Sequence, residues 1–577
     1  MWQHKQNRNR MILGIGALAG VLALAGLVRA APEPLDDLEK ILLEKPSDQR
    51  TKQLDDQVKK LRISDLRKAL SFKWLRDDDR WRREVGKKLA ADLKEAAKNK
   101  DKNVRLAVAN LIAEMGPKKV PALDAPKDAG GFARSLAPIV ATLVGDPDME
   151  VSWEALRALG TINADPKIAV PEFKKVLEKE AGSPATHRLA ADGFKRLLLV
   201  GTHLYKGSQT RTEDVSVARN ELMDIARQVV SAIGAASSAG SQSGLYDPDV
   251  EVRVLLLEAL EASASAFGGD FGTLGDARDL RKEKIEDYYK GVSEINFLLQ
   301  DLAALIERRS KGKDEELFTR AIQDEDVRVQ RAAINALEEL GRLRARLLKH
   351  VASLPTIEGE AVPKVNAKFN QKIEGMVLKV AGLFRSPDLS VRRAAMHFLE
   401  DLEDQAEPAL DALIERLEDA DRFMRWAAAR TLGNMPAAKA AKAVPALRRV
   451  LSYPDVDVRL AVVAALVRLE HLAKDAVPEL EKAILQPHRD PEYRIAVMKA
   501  LTSIGPIYSI TVMPSLIKTL KDGDARVRRT AAEVLGKFGP LARQAVPALR
   551  EALGDEDAEV RANASDALLN ILIDSKK

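Results

Sequence analysis

Residues 451–485 read LSYPDVDVRLAVVAALVRLEHLAKDAVPELEKAIL, and this stretch decides the fold. Pro454-Asp455 opens a helix: proline suits a first turn, where its missing N–H has no partner to lose, and an acid suits the helix dipole. Val458, Val462, Leu466 and Leu469 follow at spacings of four, four and three, one apolar face of a helix. After a short break Val477-Pro478 restarts the chain, and Leu480, Ala483 and Ile484 give a second apolar face. Two helices in about 34 residues, joined by a tight turn, make an αα-hairpin.

The same cassette recurs through the C-terminal third. Its arginine falls at Arg392, Arg425, Arg459, Arg494, Arg528 and Arg561. Seven residues after each stands Leu399, Leu432, Leu466, Leu501, Leu535 or Leu568. Second helices begin at Pro408, Pro445, Pro478, Pro514 and Pro547. Gly433, Gly505 and Gly536 are expected to close first helices in a left-handed cap. Each hairpin has apolar surface that only the next can cover, so the fold class expected is all-α, an α-solenoid of stacked hairpins.

The Asp-Pro-Asp-x-x-Val-Arg-x-x-Ala-x-x-Ala-Leu pattern resembles the HEAT family, with its armadillo-type fold, and in particular the short bacterial HEAT-like repeats also seen in phycobilisome lyases. It is clearest over Arg385 to Leu572. Weaker copies stand at Val104 to Ile112, Asp146 to Gly160, Asp247 to Leu260 and Val329 to Leu337, with Ser152 and Gln330 in place of the arginine in two of them. The resemblance implies that the six arginines and the repeated aspartates form a structural ladder between repeats. It also implies that second helices line the binding face. Positions four residues beyond their prolines are Arg449, Lys482 and Lys518, then Glu551. Positions two, five and six on are apolar or small. The first three are therefore expected to form a basic, solvent-facing stripe that takes a partner.

The domain organisation read from the chain is as follows. Residues 1–30 are a signal peptide or N-terminal membrane anchor: Lys5, Arg8 and Arg10 precede eighteen uncharged residues, Met11 to Val28, and then Arg29-Ala30-Ala31-Pro32. Cleavage is expected after Ala30, and an uncleaved anchor is the rival. Residues 31–73 are a polar helical lead-in. Residues 74–351 are irregular repeats with insertions, 352–368 an insertion or hinge, and 369–577 the regular array with a C-terminal cap carrying Asn563 and Ser565. The stretch 206–246, with its Ala-Ser-Gly run at 235–244, is expected to be a flexible loop, and 263–276 a second irregular insertion.

Chemistry is sparse. The chain has no cysteine, which excludes thiolate metal sites, disulfides and lipoprotein attachment, and suits export. The seven histidines (His4, His187, His203, His350, His397, His471, His488) form no His-Glu dipeptide. Deoxyhypusine hydroxylase, an enzyme of similar repeat architecture, holds iron with such pairs, so that activity does not carry over. The Gly269–Gly275 run lacks the Lys-Ser/Thr of a phosphate loop. Asp77-Asp78-Asp79 reads as a helix start. Cofactors are expected to be none. The formal charge of +5 falls to +1 without Lys5, Arg8, Arg10 and Arg29, which with 4% aromatic residues argues against nucleic acid as a partner.

The function expected is an exported, non-enzymatic scaffold binding one or more unidentified proteins in the periplasm or cell envelope. Contact with the membrane would come only through an uncleaved N-terminal segment. The alternative is an accessory subunit or enzyme, with a site built from the repeat insertions for lyase-like chromophore or cofactor handling.

Overall fold

The fold is an α-solenoid. The computed structural model describes residues 79–115, 131–162, 164–179, 182–208, 215–240, 242–267, 282–309, 315–352, 368–486 and 490–573. The signal segment, the lead-in to residue 73, the Gly269–Gly275 run and the insertion at 353–367 lie outside them. Among the described residues the only β pairing is one isolated bridge, Arg309 to Glu316.

In chain order the helices are α1 (Asp79–Ala96), α2 (Lys102–Met115), α3 (Gly131–Ser135), α4 (Ala137–Ala141), α5 (Met149–Thr161), α6 (Pro166–Leu177), α7 (Pro184–Ser208), α8 (Val215–Ala239), α9 (Val250–Ser265), α10 (Lys282–Ile306), α11 (Leu317–Ile322), α12 (Val327–Ala352) and α13 (Lys368–Gly382). The regular array follows as α14 (Leu389–Asp401), α15 (Leu410–Arg416), α16 (Arg422–Asn434), α17 (Ala437–Ala440), α18 (Val444–Val450), α19 (Val456–Leu469), α20 (Val477–Ile484), α21 (Pro491–Ile504), α22 (Met513–Thr519), α23 (Ala525–Lys537), α24 (Val546–Ala552) and α25 (Ala558–Ile573). Its first helices are α14, α16, α19, α21, α23 and α25. Its second helices are α15, α18, α20, α22 and α24. Short 3₁₀ segments such as Glu470–Ala476 and Ile510–Val512 join them.

The described residues fall into two compact units: those up to Phe318 together with residues 346–352, and Thr319–Ala345 together with those from residue 368 on. The Val329–Leu337 copy belongs with the regular array, because Arg342 pairs with Asp401 at 2.5 Å and Lys379 bonds Thr319 at 2.6 Å.

First helices start alike, except α21, which carries Pro491 in its first turn and whose Arg494 donates to the Ile484 carbonyl. An aspartate in extended backbone is the N-cap: Asp455 accepts from the N–H groups of Asp457 and Val458 at 3.0 and 3.2 Å. Pro454 thus sits before the cap, not in the first turn. Two residues upstream of the cap, another aspartate often ties the turn, as Asp522 does in accepting from the Asp524 N–H at 3.0 Å. The arginine four residues after the cap folds back onto the same turn, and Arg459 donates to the carbonyls of Tyr453 and Pro454 at 2.6 and 2.9 Å. The aspartates thus take up N–H groups at the helix start, while the arginine donates to carbonyls of the turn before it.

The apolar faces then stack. Val458, Val462, Leu466 and Leu469 of α19 are buried, as are Leu480, Ala483 and Ile484 of α20. Two expectations about small residues change. Gly433 and Gly536 are inside α16 and α23 and do not cap them. A Cβ on Gly433 would sit 3.0 Å from Ala465 Cα, and one on Gly536 2.9 Å from Ala567 Cα. They are glycines because the next repeat's first helix passes at backbone distance. Gly505, with φ +113°, does end its helix.

The stretch expected as a flexible loop is also different. Val215–Ala239 is helix α8, with Ala236 and Ser237 fully buried. Ser237 and Ser238 return their hydroxyls to the Ile233 and Gly234 carbonyls, so a polar-looking run needs no water. At Gly234 an added Cβ would meet Leu305 at 2.5 Å. The small residues serve close packing. Likewise Ser263 to Ser265 end helix α9.

Candidate functional site

The site worth building is the exposed row on the second helices of the C-terminal unit. Each second helix is short, seven or eight residues, and carries proline in its first turn in α18, α20, α22 and α24. Positions two, five and six beyond the proline are buried: Leu447, Val450 and Leu451, then Leu480, Ala483 and Ile484, then Leu516, Thr519 and Leu520. That leaves position four pointing to solvent, and Arg449, Lys482 and Lys518 are all exposed. Position three is half-buried, at Arg448, Glu481 and Ile517.

Between α18 and α20 lies an open groove of about 470 Å³. Arg449 and Lys482 stand on its rim, with Arg448, Ser452, Glu479 and Gln486 among the lining side chains. Arg448 grips Glu479 with two bonds, 2.9 and 2.8 Å, which raises the arginine's affinity for its proton and holds the carboxyl below its ordinary range. Arg449 reaches back to Glu418 of the preceding repeat at 2.6 Å. Further on, Lys521 meets Glu551 at 2.8 Å. The stripe is therefore not uniformly basic: Arg449 is compensated by the preceding repeat, whereas Lys482 and Lys518 make no ion pair among the described residues. Glu481 accepts from Ser515 at 2.5 Å.

The six cassette arginines lie elsewhere, at the starts of the first helices. Arg392, Arg425, Arg459, Arg528 and Arg561 all bond carbonyls of their own turn. Across to the next repeat, Arg528 pairs with Asp555 through two bonds of 2.8 Å, and Arg494 pairs with Asp522. Arg425 and Arg459 instead lie over the rings of Tyr453 and Tyr493, at 5.4 and 4.6 Å. Where the sequence has Gln330 and Ser152, Gln330 donates to the Asp324 carbonyl at 2.7 Å and Ser152 to the Val144 carbonyl at 2.6 Å.

Sequence reasoning missed a second set of rungs. The cation one residue further on binds the next repeat's N-cap: Arg393 to Asp421 at 2.7 Å, Arg529 to Asp557 at 2.5 Å, and, in the N-terminal unit, Arg188 to Asp249. These partners hold Asp421, Asp557 and Asp249 well below the usual carboxylate range. Also missed was the repeat that begins at Pro184. There His187 occupies the arginine position, buried, with Nδ1 2.5 Å from Asp247 Oδ2. Ser183-Pro184 three residues earlier is the signal that could have found it. Trp426 is half-buried beneath Arg430, 4.5 Å from its ring centre, and Trp153 donates to Thr186 at 3.0 Å.

Among the described residues no three His, Cys, Asp or Glu side chains are placed to hold a metal ion, and no helix is long and apolar enough to cross a membrane.

The HEAT-repeat family profile matches residues 380–466 and 513–575, and these segments are HEAT repeats. No curated protein sequence matches the chain. Solved structures similar to it include an engineered protein at 20% identity (84% of this chain, 98% of that one, TM-score 0.37). Importin beta aligns at 16% identity (88% and 66%, TM-score 0.37). Kap95p, solved with RanGDP, aligns at 13% identity (94% and 67%, TM-score 0.34).

Proposed function

We propose that this HEAT-repeat chain is an exported, non-enzymatic scaffold of the cell envelope, and that the second-helix row of its C-terminal unit holds a protein partner through an acidic segment. The observation that carries the reading is the row itself. Arg449, Lys482 and Lys518 stand at one helical position on successive repeats, exposed, over a buried layer that fixes their spacing. Stacked helices position such side chains rigidly, so a partner that matches the row loses little freedom to the scaffold's own ordering. The polarity of the row favours an anionic segment, and the basic head with eighteen uncharged residues at the N-terminus supports the reading of export.

Crosslinking in intact cells, followed by capture of the full chain, tests the reading. The wild-type protein is expected to bring down a defined partner that the Arg449→Glu, Lys482→Glu, Lys518→Glu triple variant does not. An unchanged partner set overturns the role of the row. Fractionation of the same cells tests location, and a chain found wholly in the cytoplasm overturns export.

A further inference from the structure

Neighbouring second helices meet at a fixed pair of positions. The residue seven beyond the proline of one helix faces the residue four beyond the proline of the next. Lys521 and Glu551 occupy this pair at 2.8 Å. Glu418 lies ten beyond Pro408, because α15 begins after its proline, but counted from the helix end it matches Ser452 (it follows Leu417 as Ser452 follows Leu451), and it pairs with Arg449 at 2.6 Å. At both ends of the row the fold thus supplies its own counter-charge.

At the two middle steps it does not. The residue in register with Lys482 is Ser452, and both line the same groove. The residue in register with Lys518 is Leu485, 42% exposed. Two consecutive repeats therefore present one ammonium each without a facing carboxylate, with an exposed leucine in register between them. Of the acids nearby, Glu479 also feels the Lys482 charge from one turn away but is gripped by Arg448 through both oxygens, and Glu481 turns to Ser515 on the half-buried face. An array whose outer rungs are neutralised and whose inner two are not is built to be completed by something that carries two negative charges, one repeat step apart.

That step sets the ligand's geometry. Packed helices lie about 8–10 Å apart. A fully extended β-strand puts same-face side chains about 7 Å apart, and then about 13 Å, so neither spacing fits. A polyproline II segment advances about 3.1 Å per residue with three residues per turn, so side chains i and i+3 share a face at about 9 Å. We infer that Lys482 and Lys518 bind the carboxylates of an acid-x-x-acid motif, held in polyproline II conformation, in the partner's segment. This deepens the reading above and rests on it.

Fluorescence anisotropy with the full chain tests the motif. One labelled peptide carries three glutamates at i, i+3 and i+6 separated by proline and leucine. A second has the same composition with the glutamates adjacent. The spaced peptide is expected to bind about fivefold or more tighter than the adjacent one, as two exposed ion pairs allow. Its binding should be lost in the Lys482→Glu, Lys518→Glu variant, tighten in Glu481→Gln, and weaken with salt. Both altered lysines are exposed, and circular dichroism checks that the variant is folded. Equal binding of the two peptides, with both lost on charge reversal, overturns the spacing while leaving an acidic partner in place. Binding unaffected by charge reversal overturns both readings. No measurable binding of the spaced peptide overturns the motif.

Discussion

Gly433 supplies the sharpest test of how the repeats pack. A glycine inside a helix is ordinarily a weak point, and replacing it with alanine gains up to about 1 kcal/mol. At Gly433 the added Cβ would lie 3.0 Å from Ala465 Cα and 3.2 Å from Ala465 Cβ, on the next repeat's first helix. Relief requires α16 and α19 to separate, because the obstacle is backbone and no side chain can swing away. Overpacking of this kind costs about 1–3 kcal/mol, so Gly433→Ala should be net destabilising by about 1 kcal/mol. Gly375, in α13, is the control: no atom lies within 4 Å of its added Cβ, and Gly375→Ala should stabilise by about 0.5–1 kcal/mol. Urea unfolding followed by circular dichroism reads both. Ala465→Gly should rescue Gly433→Ala only in part, since the α19 backbone still stands in the way. If Gly433→Ala stabilises as Gly375→Ala does, the repeats do not touch as described.

Three further outcomes are expected. Arg528→Ala strands Asp555 in a nearly buried pair and should cost about 3 kcal/mol, whereas Arg561→Ala, which loses only bonds to the Asp555 and Glu556 carbonyls, should cost about 1 kcal/mol or less; equal losses in urea titrations would contradict the rung assignment. Arginine partners depress Asp146, Asp249, Asp421 and Asp555, so their contribution is complete above the unfolded carboxylate range near pH 4 and is lost as pH falls through their lower folded values; urea midpoints should drop below pH 4, and a flat profile would refute this. Glu338 behaves with the opposite sign: burial pushes it up to about 7, and Arg342 beside it does not prevent this because it is shared with Glu339 and Asp401. Its ionisation should therefore remove stability as pH rises from about 4.5 to 7, by at most about 3 kcal/mol, and Glu338→Gln should flatten that part of the profile.

The repeat was legible because its signal is redundant. Val458, Arg459, Val462 and Leu466 have counterparts in every copy of the regular array, so the period survives any single exception. What misled the reading was composition where it carries two meanings. Serine, alanine and glycine at 234–240 suit a loop, but they equally suit helices packed at backbone distance. Only the approach of Leu305 to Gly234 separates the two. The same ambiguity covers Gly433, whose place at the end of a periodic run matches a C-cap as well as a close approach of two helices. The grouping of the Val329–Leu337 copy with the second unit cannot be read along the chain, because the ion pair that ties its helix there joins Arg342 to Asp401, 59 residues away.

For the site, exposure was legible and electrostatics was not. The apolar residues two, five and six beyond each proline leave one direction for position four, and that follows from helical geometry alone. Charge is different, because the net effect of Arg449 depends on what the preceding repeat places against it. Read along one helix, Arg449, Lys482 and Lys518 look equivalent. Read across helices, Glu418 pairs with the first, while Ser452 and Leu485 stand in register with the other two, and no described carboxylate pairs with either across the junction. In a stack of repeats, the unit that decides binding is the junction between successive copies. A residue that varies between copies is therefore informative only together with the residue three positions further on in the copy before it, and it is the mismatch of that pair at Lys482 and Lys518 that singles out the middle of the row.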